Sequence, residues 1–165
     1  VSPYGCSKVF GYNAVRHYRR AYDLHAVNGI LFNHESPRRG SNFVTNKVVK
    51  AACSIKLGLQ DKLELGNMDS YRDWGHSKDY VKAMHMIMNH DIADDFVVSY
   101  LDLDYKDYVT QNPKFLRPEE LPYLKGDSTK LRETFDWKPD YTFEGMMHEM
   151  CDHWMDVLQG KPSNR

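Results

Sequence analysis

Tyr4 and Lys8 stand four residues apart in PYGCSK. On a helix this spacing puts both side chains on one face, with Cβ atoms roughly 5 to 6 Å apart, so the two can act as a pair. A phenol with a pKa of about 10 is a poor base at neutral pH, but a nearby ammonium favours the phenolate, each unit of depression representing about 1.4 kcal/mol. The chemistry on offer is that of a general base. Any helix with both residue types shows the spacing by chance, so its surroundings must decide. Two further groups could bind: Arg38 with Arg39 in NHESPRRGSN, and Arg72 after LELGNMDSY. Guanidinium forks match phosphate oxygens, and a small phosphorylated ligand needs only one or two of them. The run His148-Glu149-Met150-Cys151-Asp152-His153 holds metal-ligand residue types. Its histidines are five apart, about 140° out of line on a 3.6-residue turn, whereas a helical zinc motif needs them four apart. With Met146, Met147, Met150 and Trp154 around it, a packed terminal helix is the better account, and no metal is expected.

The elements that must position these residues follow from periodicity. Tyr4, Val9, Phe10, Tyr12, Ala14, Val15, Tyr18, Tyr22 and Leu24 recur mostly at helical spacing, so the sequence predicts one long helix from Pro3 to about His25, with Pro3 suited to its first turn. Ala26 to Phe32 is a short apolar run that reads as a buried parallel strand, followed by NHESPRRGSN as a loop. A helix is expected from Phe43 to about Leu57, and a brief strand over residues 62–65, closed by Gly66-Asn67 and a polar loop. Ser77 is the expected N-cap of a helix reaching about Asn89, and Phe96-Val97-Val98 another strand. NPKFLRPEELPYLKG carries three prolines and cannot be regular for long; Asp127 to Phe135 and Phe143 to Leu158 read as closing helices. Helices alternating with short apolar strands mean α/β. Neither a repeat nor a low-complexity tract is present.

Composition narrows the class. The 165 residues are 41% apolar, enough for one domain with a sizeable core. The formal net charge of −1 argues against general affinity for nucleic acid, which rests on many cations neutralising phosphates. A nucleotide is easier to accommodate than a polynucleotide. No apolar run of membrane-spanning length or export segment is visible, and Cys6, Cys53 and Cys151 are scattered as reduced thiols would be, so a soluble protein of the cytoplasm is expected, or one that has lost its own beginning.

YxxxK at a helix start, followed by a buried strand ending in FNHESPRRG, resembles the extended short-chain dehydrogenases/reductases. The longer words NGILFNHESPRRGSNFVTNK, LGNMDSYRDWGHSKDYV, RPEE and GDSTKLRETFDWKP resemble the GDP-mannose 4,6-dehydratase family in particular. The resemblance implies an α/β fold, the C-terminal part of an extended short-chain dehydrogenase, with a Rossmann-type sheet remnant and a small α/β substrate-binding domain. Residues 1–42 would be the end of the NADP-binding domain, and 43–165 mainly the nucleotide-sugar-binding region, with some segments returning to the sheet. By the same resemblance, Tyr4 would take the proton from the sugar 4-hydroxyl while hydride leaves C4 for NADP, and Lys8 would support it and bind the nicotinamide ribose. His34 and Arg39 would contact the cofactor. Asn33, Val44, Lys47, Leu65, Asn67, Arg72, Arg117 and Glu120 would hold GDP-mannose. Arg72 offers bidentate donors to a diphosphate, Glu120 an acceptor for a ribose diol or guanine N–H, and Arg117 sits beside the stiffening Pro118. Asp73 and Asp79 read as partners that orient their loop. The family's later steps are removal of the C5 proton by a glutamate, loss of water from C6 and return of the hydride. The family also implies a homodimer or homotetramer.

Two departures qualify the expectation. The Gly-rich phosphate loop and the threonine/glutamate segment precede the tyrosine in the family, and this chain starts three residues before Tyr4, so by itself it is expected not to turn over substrate. Between Val98 and Leu103 the chain skips roughly twenty or more residues that the family carries, more than routine loop variation. Two other readings stay open: a non-catalytic relative that binds a nucleotide sugar or associates through an apolar stripe around Val15 and Tyr22, and a different nucleotide-sugar dehydratase or epimerase sharing Tyr4 and Lys8.

Overall fold

The computed structural model describes residues 2–67, 69–100, 110–111 and 123–162, with the backbone alone at 110–111. Ser2 opens α1 (Pro3–Tyr22): its Oγ accepts the Gly5 N–H at 3.1 Å, and Pro3 takes the first position, where its missing N–H costs nothing. The helix stops short of the expected His25. Asp23 adopts a left-handed conformation with φ 51°, which a short polar side chain tolerates and which ends the hydrogen-bond ladder.

β1 (Asn28–Leu31) pairs in parallel with β6 (Asp95–Val98), Asn28 opposite Asp95 and Leu31 opposite Val98. Against this pair lie α3 (Ser77–Met88) and α4 (Thr129–Phe135), and the apolar core between them is Tyr80, Ala83, Ile87, Phe96, Val98, Leu131 and Trp137. A second cluster forms where α2 (Val44–Lys56) packs on α5 (Phe143–Leu158), from Val49, Cys53, Met146 and Met150, with Trp74, Met147 and Trp154 at its border. β2 (Asn33–Glu35) and β5 (Trp74–His76) pair in parallel between the clusters. β3 (Glu64–Leu65) pairs with β7 (Thr110–Gln111), and β4 (Tyr71–Arg72) with β8 (Tyr123–Leu124). Every described pairing is parallel, as an α/β chain with helical crossovers requires.

Three expectations need correction. The strand expected over residues 26–32 is shorter, Asn28–Leu31; among the described residues it pairs with β6, and Ile30 is 41% exposed. The segments expected as loops contain β2, β4 and β5. These are two or three residues long, too short for an alternating pattern, and partners distant in sequence create them. Ser77 is the first residue of α3, and its cap is His76, whose Nδ1 accepts the Lys78 N–H at 3.0 Å. Ser77 instead donates to the Glu35 carbonyl at 3.1 Å and so ties α3 to β2.

α1 buries none of its residues fully and is held by polar contacts to Asp95. That carboxylate accepts from Arg19 Nη2 at 2.7 Å, Asn28 Nδ2 at 2.9 Å and the Tyr12 hydroxyl at 3.1 Å, with Arg16 Nε at 3.6 Å. Burial pushes the Asp95 carboxyl up, but these donors outweigh it and hold the group below its usual range. The Cys53 thiol, by contrast, is pushed up to about 11 by burial. All three cysteines are free thiols. No described helix is long and apolar enough to cross a membrane.

Asp95→Ala is expected to cost about 2 to 3 kcal/mol in chemical denaturation, because Arg19 loses its main partner, with amide exchange accelerating first in α1. A carboxyl lowered in the folded state stabilises above its ordinary pKa of about 3.9 and loses that contribution as pH falls through the folded value. Asp95→Asn should therefore flatten the acid limb of the stability curve below about pH 4; an unchanged limb would remove the assigned role. Gly75 is a second sensitive point, since a Cβ there would lie 2.5 Å from the buried Tyr80 ring. Gly75→Ala is expected to lower stability by about 1 to 3 kcal/mol, read as a shifted denaturation midpoint.

Candidate functional site

Tyr4 and Lys8 lie on the first turns of α1, and Lys8 Nζ sits 5.3 Å from the Tyr4 ring centroid. The helical register that Ser2 and Pro3 start is what brings them together. Tyr4 is 71% exposed, so its hydroxyl is not consumed by packing. Among the described residues no hydrogen bond or ring contact joins either side chain to the groups below, which form a separate patch.

That patch begins at β2. The His34 ring donates from Nδ1 to the Phe32 carbonyl at 2.9 Å, which in the neutral ring leaves Nε2 as an acceptor. The ring also tilts against Tyr80 with centroids 5.1 Å apart. Glu35 is buried and takes the Thr45 hydroxyl at 2.6 Å. Burial pushes its carboxyl above the usual range, opposed by the Thr45 hydrogen bond and the positive field of Arg39. Arg39 Nε stands 3.1 Å from Glu35 Oε2, an ion pair in distance whose N–H is not aligned as a hydrogen bond. The Arg39 guanidinium lies over Phe43, 3.5 Å from the ring centroid. The Arg39 carbonyl accepts from Asn46, which in turn accepts from the Trp154 indole N–H.

Asn33, His34 and Arg39 thus come from β2 and the turn after it, and Val44 stands half-exposed at the start of α2. Lys47, one turn further on, donates to the Glu64 carbonyl at 2.8 Å, which places it beside buried Leu65 on β3. An open cleft of about 530 Å³ lies here, with Lys47, Lys50, Lys62 and Glu64 among its lining residues. It includes neither Tyr4 nor Arg39, so it marks one end of the patch. Asn67 donates to Ser70 at 2.8 Å and accepts from the Asp69 N–H at 2.9 Å, shaping the turn into β4, where Arg72 donates to the Tyr71 carbonyl at 2.8 Å. Arg117 and Glu120 lie outside the described residues, as does much of the expected gap between Val98 and Leu103.

The words after Arg72 fold inward. Asp73 is buried and accepts the Tyr100 N–H at 2.6 Å and the Gly126 N–H at 3.2 Å. Asp79 accepts the Asp140 and Tyr141 N–H groups at 3.0 and 3.2 Å. His76 donates from Nε2 to Glu149 at 2.7 Å and stacks on Tyr141 at 3.8 Å. Burial raises the Glu149 carboxyl, and hydrogen bonds from His76 and Lys78 overcome it, leaving the group below its usual range. Sequence reading missed Glu35, Thr45 and Phe43 as the supports of Arg39; the one available signal was a glutamate four residues before an arginine. No three His, Cys, Asp or Glu side chains converge as a metal site among the described residues.

The family model for GDP-mannose 4,6 dehydratase matches residues 1–102 and 101–150, so the break falls where the sequence departs from the family pattern. GDP-mannose 4,6 dehydratase 2 of Arabidopsis thaliana is 44% identical over 174 residues, covering 96% of this chain and 47% of the relative. The Homo sapiens GDP-mannose 4,6 dehydratase is 38% identical over 195 residues, covering 98% and 52%. The chain spans about half the length of these relatives. Among solved structures, RMD from Pseudomonas aeruginosa complexed with NADPH superposes with a TM-score of 0.78 at 20% identity, covering 93% of this chain and 56% of that one. A dTDP-glucose 4,6-dehydratase from Bacillus anthracis in complex with NAD gives 0.79 at 19%, covering 97% and 54%. The fold is therefore that of the extended short-chain dehydrogenases, and by sequence the chain belongs to the GDP-mannose 4,6-dehydratase family.

Proposed function

We propose that this chain serves a GDP-mannose 4,6-dehydratase, a hydro-lyase that converts GDP-mannose to GDP-4-keto-6-deoxymannose with loss of water. The observation that carries the reading is the Tyr4–Lys8 pair, on one helix face with both side chains accessible. Tyr4 would receive the proton of the sugar 4-hydroxyl, with Lys8 beside it as a fixed positive charge that favours that transfer. Bound NADP would supply acceptance of a hydride from C4 and its return at C6. The residues present fit such a group: Tyr4 and Lys8 have free polar ends, and Arg39 is a planar cation suited to an anionic dinucleotide.

His34 and Arg39 are the proposed cofactor contacts, with Tyr4 and Lys8. Asn33, Val44, Lys47, Leu65, Asn67, Arg72, Arg117 and Glu120 are the proposed contacts to the GDP-sugar. The lysines lining the cleft beside α2 support an anionic ligand at that end. Residues 1–42 would serve the cofactor and 43–165 mainly the sugar nucleotide. On α1, the stacked and exposed Tyr18 and Tyr22 rings with His17 against them support a homodimer or homotetramer; the proposed location is the cytoplasm.

The test is to incubate the complete gene product with GDP-mannose and NADP and follow the product by the mass loss of one water. Turnover only with a uridine or thymidine sugar would reject the substrate assignment. Tyr4→Phe keeps the ring and deletes the proton acceptor, so kcat should fall by about 10² to 10⁴ at unchanged fold. Arg72→Lys keeps charge but loses the fork, and KM for the nucleotide sugar should rise about tenfold, worth about 1.4 kcal/mol; an unchanged KM would remove Arg72 from the site.

A further inference from the structure

Arg39 is held more tightly than a loop arginine needs to be. Glu35 approaches its Nε edge at 3.1 Å, and Phe43 covers one face of the guanidinium at 3.5 Å. Its backbone carbonyl is fixed by Asn46, which is itself anchored by Trp154 on α5. Glu35 is fixed in turn: it is 2% exposed, its Oε2 takes the Thr45 hydroxyl, and its carbonyl takes the Ser77 hydroxyl. Edge, face and backbone are thus all constrained, while the two terminal amino groups of Arg39 have no hydrogen-bond partner among the described residues. A guanidinium carries five N–H donors, and one edge toward a carboxylate leaves a planar pair pointing away from it. Burial also keeps Glu35 itself from reaching a substrate atom, so whatever it does for a ligand it does through Arg39.

We propose that Glu35 is a positioning residue that presets the Arg39 guanidinium for a phosphate of the nicotinamide dinucleotide. Preorganisation of this kind lowers the cost of ordering a long side chain when the ligand arrives, and it is realised as affinity. The inference rests on the dinucleotide-dependent reading given above. It adds to that reading a residue that does not touch the ligand, and a reason for a buried acid at the end of β2.

Glu35→Gln separates the charge from the shape: the amide oxygen still accepts from Thr45, while the ion pair to Arg39 is lost. The complete gene product is titrated with NADPH and with NADH, following nicotinamide fluorescence with no sugar present. Glu35→Gln should weaken NADPH binding at least fivefold, and the same change made in an Arg39→Ala background should matter by less than twofold. A loss confined to NADPH assigns the 2′-phosphate, and an equal loss for NADH assigns the pyrophosphate; both support the proposal. Unchanged affinity in Glu35→Gln, or an equal loss in both backgrounds, overturns it. Should Glu35→Gln fail to fold, Glu35→Asp, which withdraws the carboxylate by one methylene, is judged by the same criteria. A native protein that binds neither dinucleotide but dehydrates nothing either would overturn the underlying reading, a result distinguishable from insensitivity at Glu35 alone.

Discussion

A carboxylate taken out of water has to be answered by donors, and the three buried acids among the described residues show where those donors come from. Glu35 collects Thr45 and Arg39, Asp73 the backbone N–H groups of Tyr100 and Gly126, and Asp79 those of Asp140 and Tyr141. Leaving any of these acids unpaired would cost more than the net worth of the bonds themselves. The loops around β2 and β5 are therefore fixed where apolar packing alone would leave them loose. Asp73 shows the balance: burial raises its carboxyl above the usual range, and the two N–H groups that approach it counter that rise without cancelling it.

The two apolar clusters divide the remaining labour. The one around Tyr80, Phe96 and Leu131 carries the β1–β6 pair, while the one around Val49, Met146 and Met150 fixes α2 against α5. Arg39, Lys47 and Val44 all take their positions from α2 or the turn before it, so the second cluster sets the geometry of the patch although none of its members belongs to it. The Trp154 to Asn46 to Arg39 relay is the most direct link from that packing to a side chain with binding chemistry.

Much of the helical frame was legible because apolar residues recur at three and four, as in Val44, Val48, Val49, Ala52 and Ile55, and the Tyr4–Lys8 pair was legible because helical spacing alone juxtaposes it. β2, β4 and β5 were not, since two or three residues carry no period and their strand character comes from partners forty or more residues away. Charge misled in the same places. Glu35, Asp73, His76 and Asp79 sit in polar words that suit a solvated surface, yet all four are buried, Asp73 and Asp79 with donors that arrive from elsewhere in the chain. Asp73 and Asp79 as loop-orienting partners could be read from type and context. The inward turn of Asp73, Gly75, His76 and Asp79 within RDWGHSKD could not.

The uniform direction of the strand pairs has a consequence for how the molecule is made. No described strand can be closed by a hairpin, and β1 near residue 28 finds its neighbour only at residues 95–98. During synthesis at roughly 5 to 20 residues per second, the β1–β6 ladder cannot begin until several seconds after β1 is made. Loops of that length must close before any ladder bond rewards them, which slows folding relative to a helical bundle of equal size. α1, whose turns need only local bonds, can form before that, and its ties to Asp95 close only once β6 has arrived.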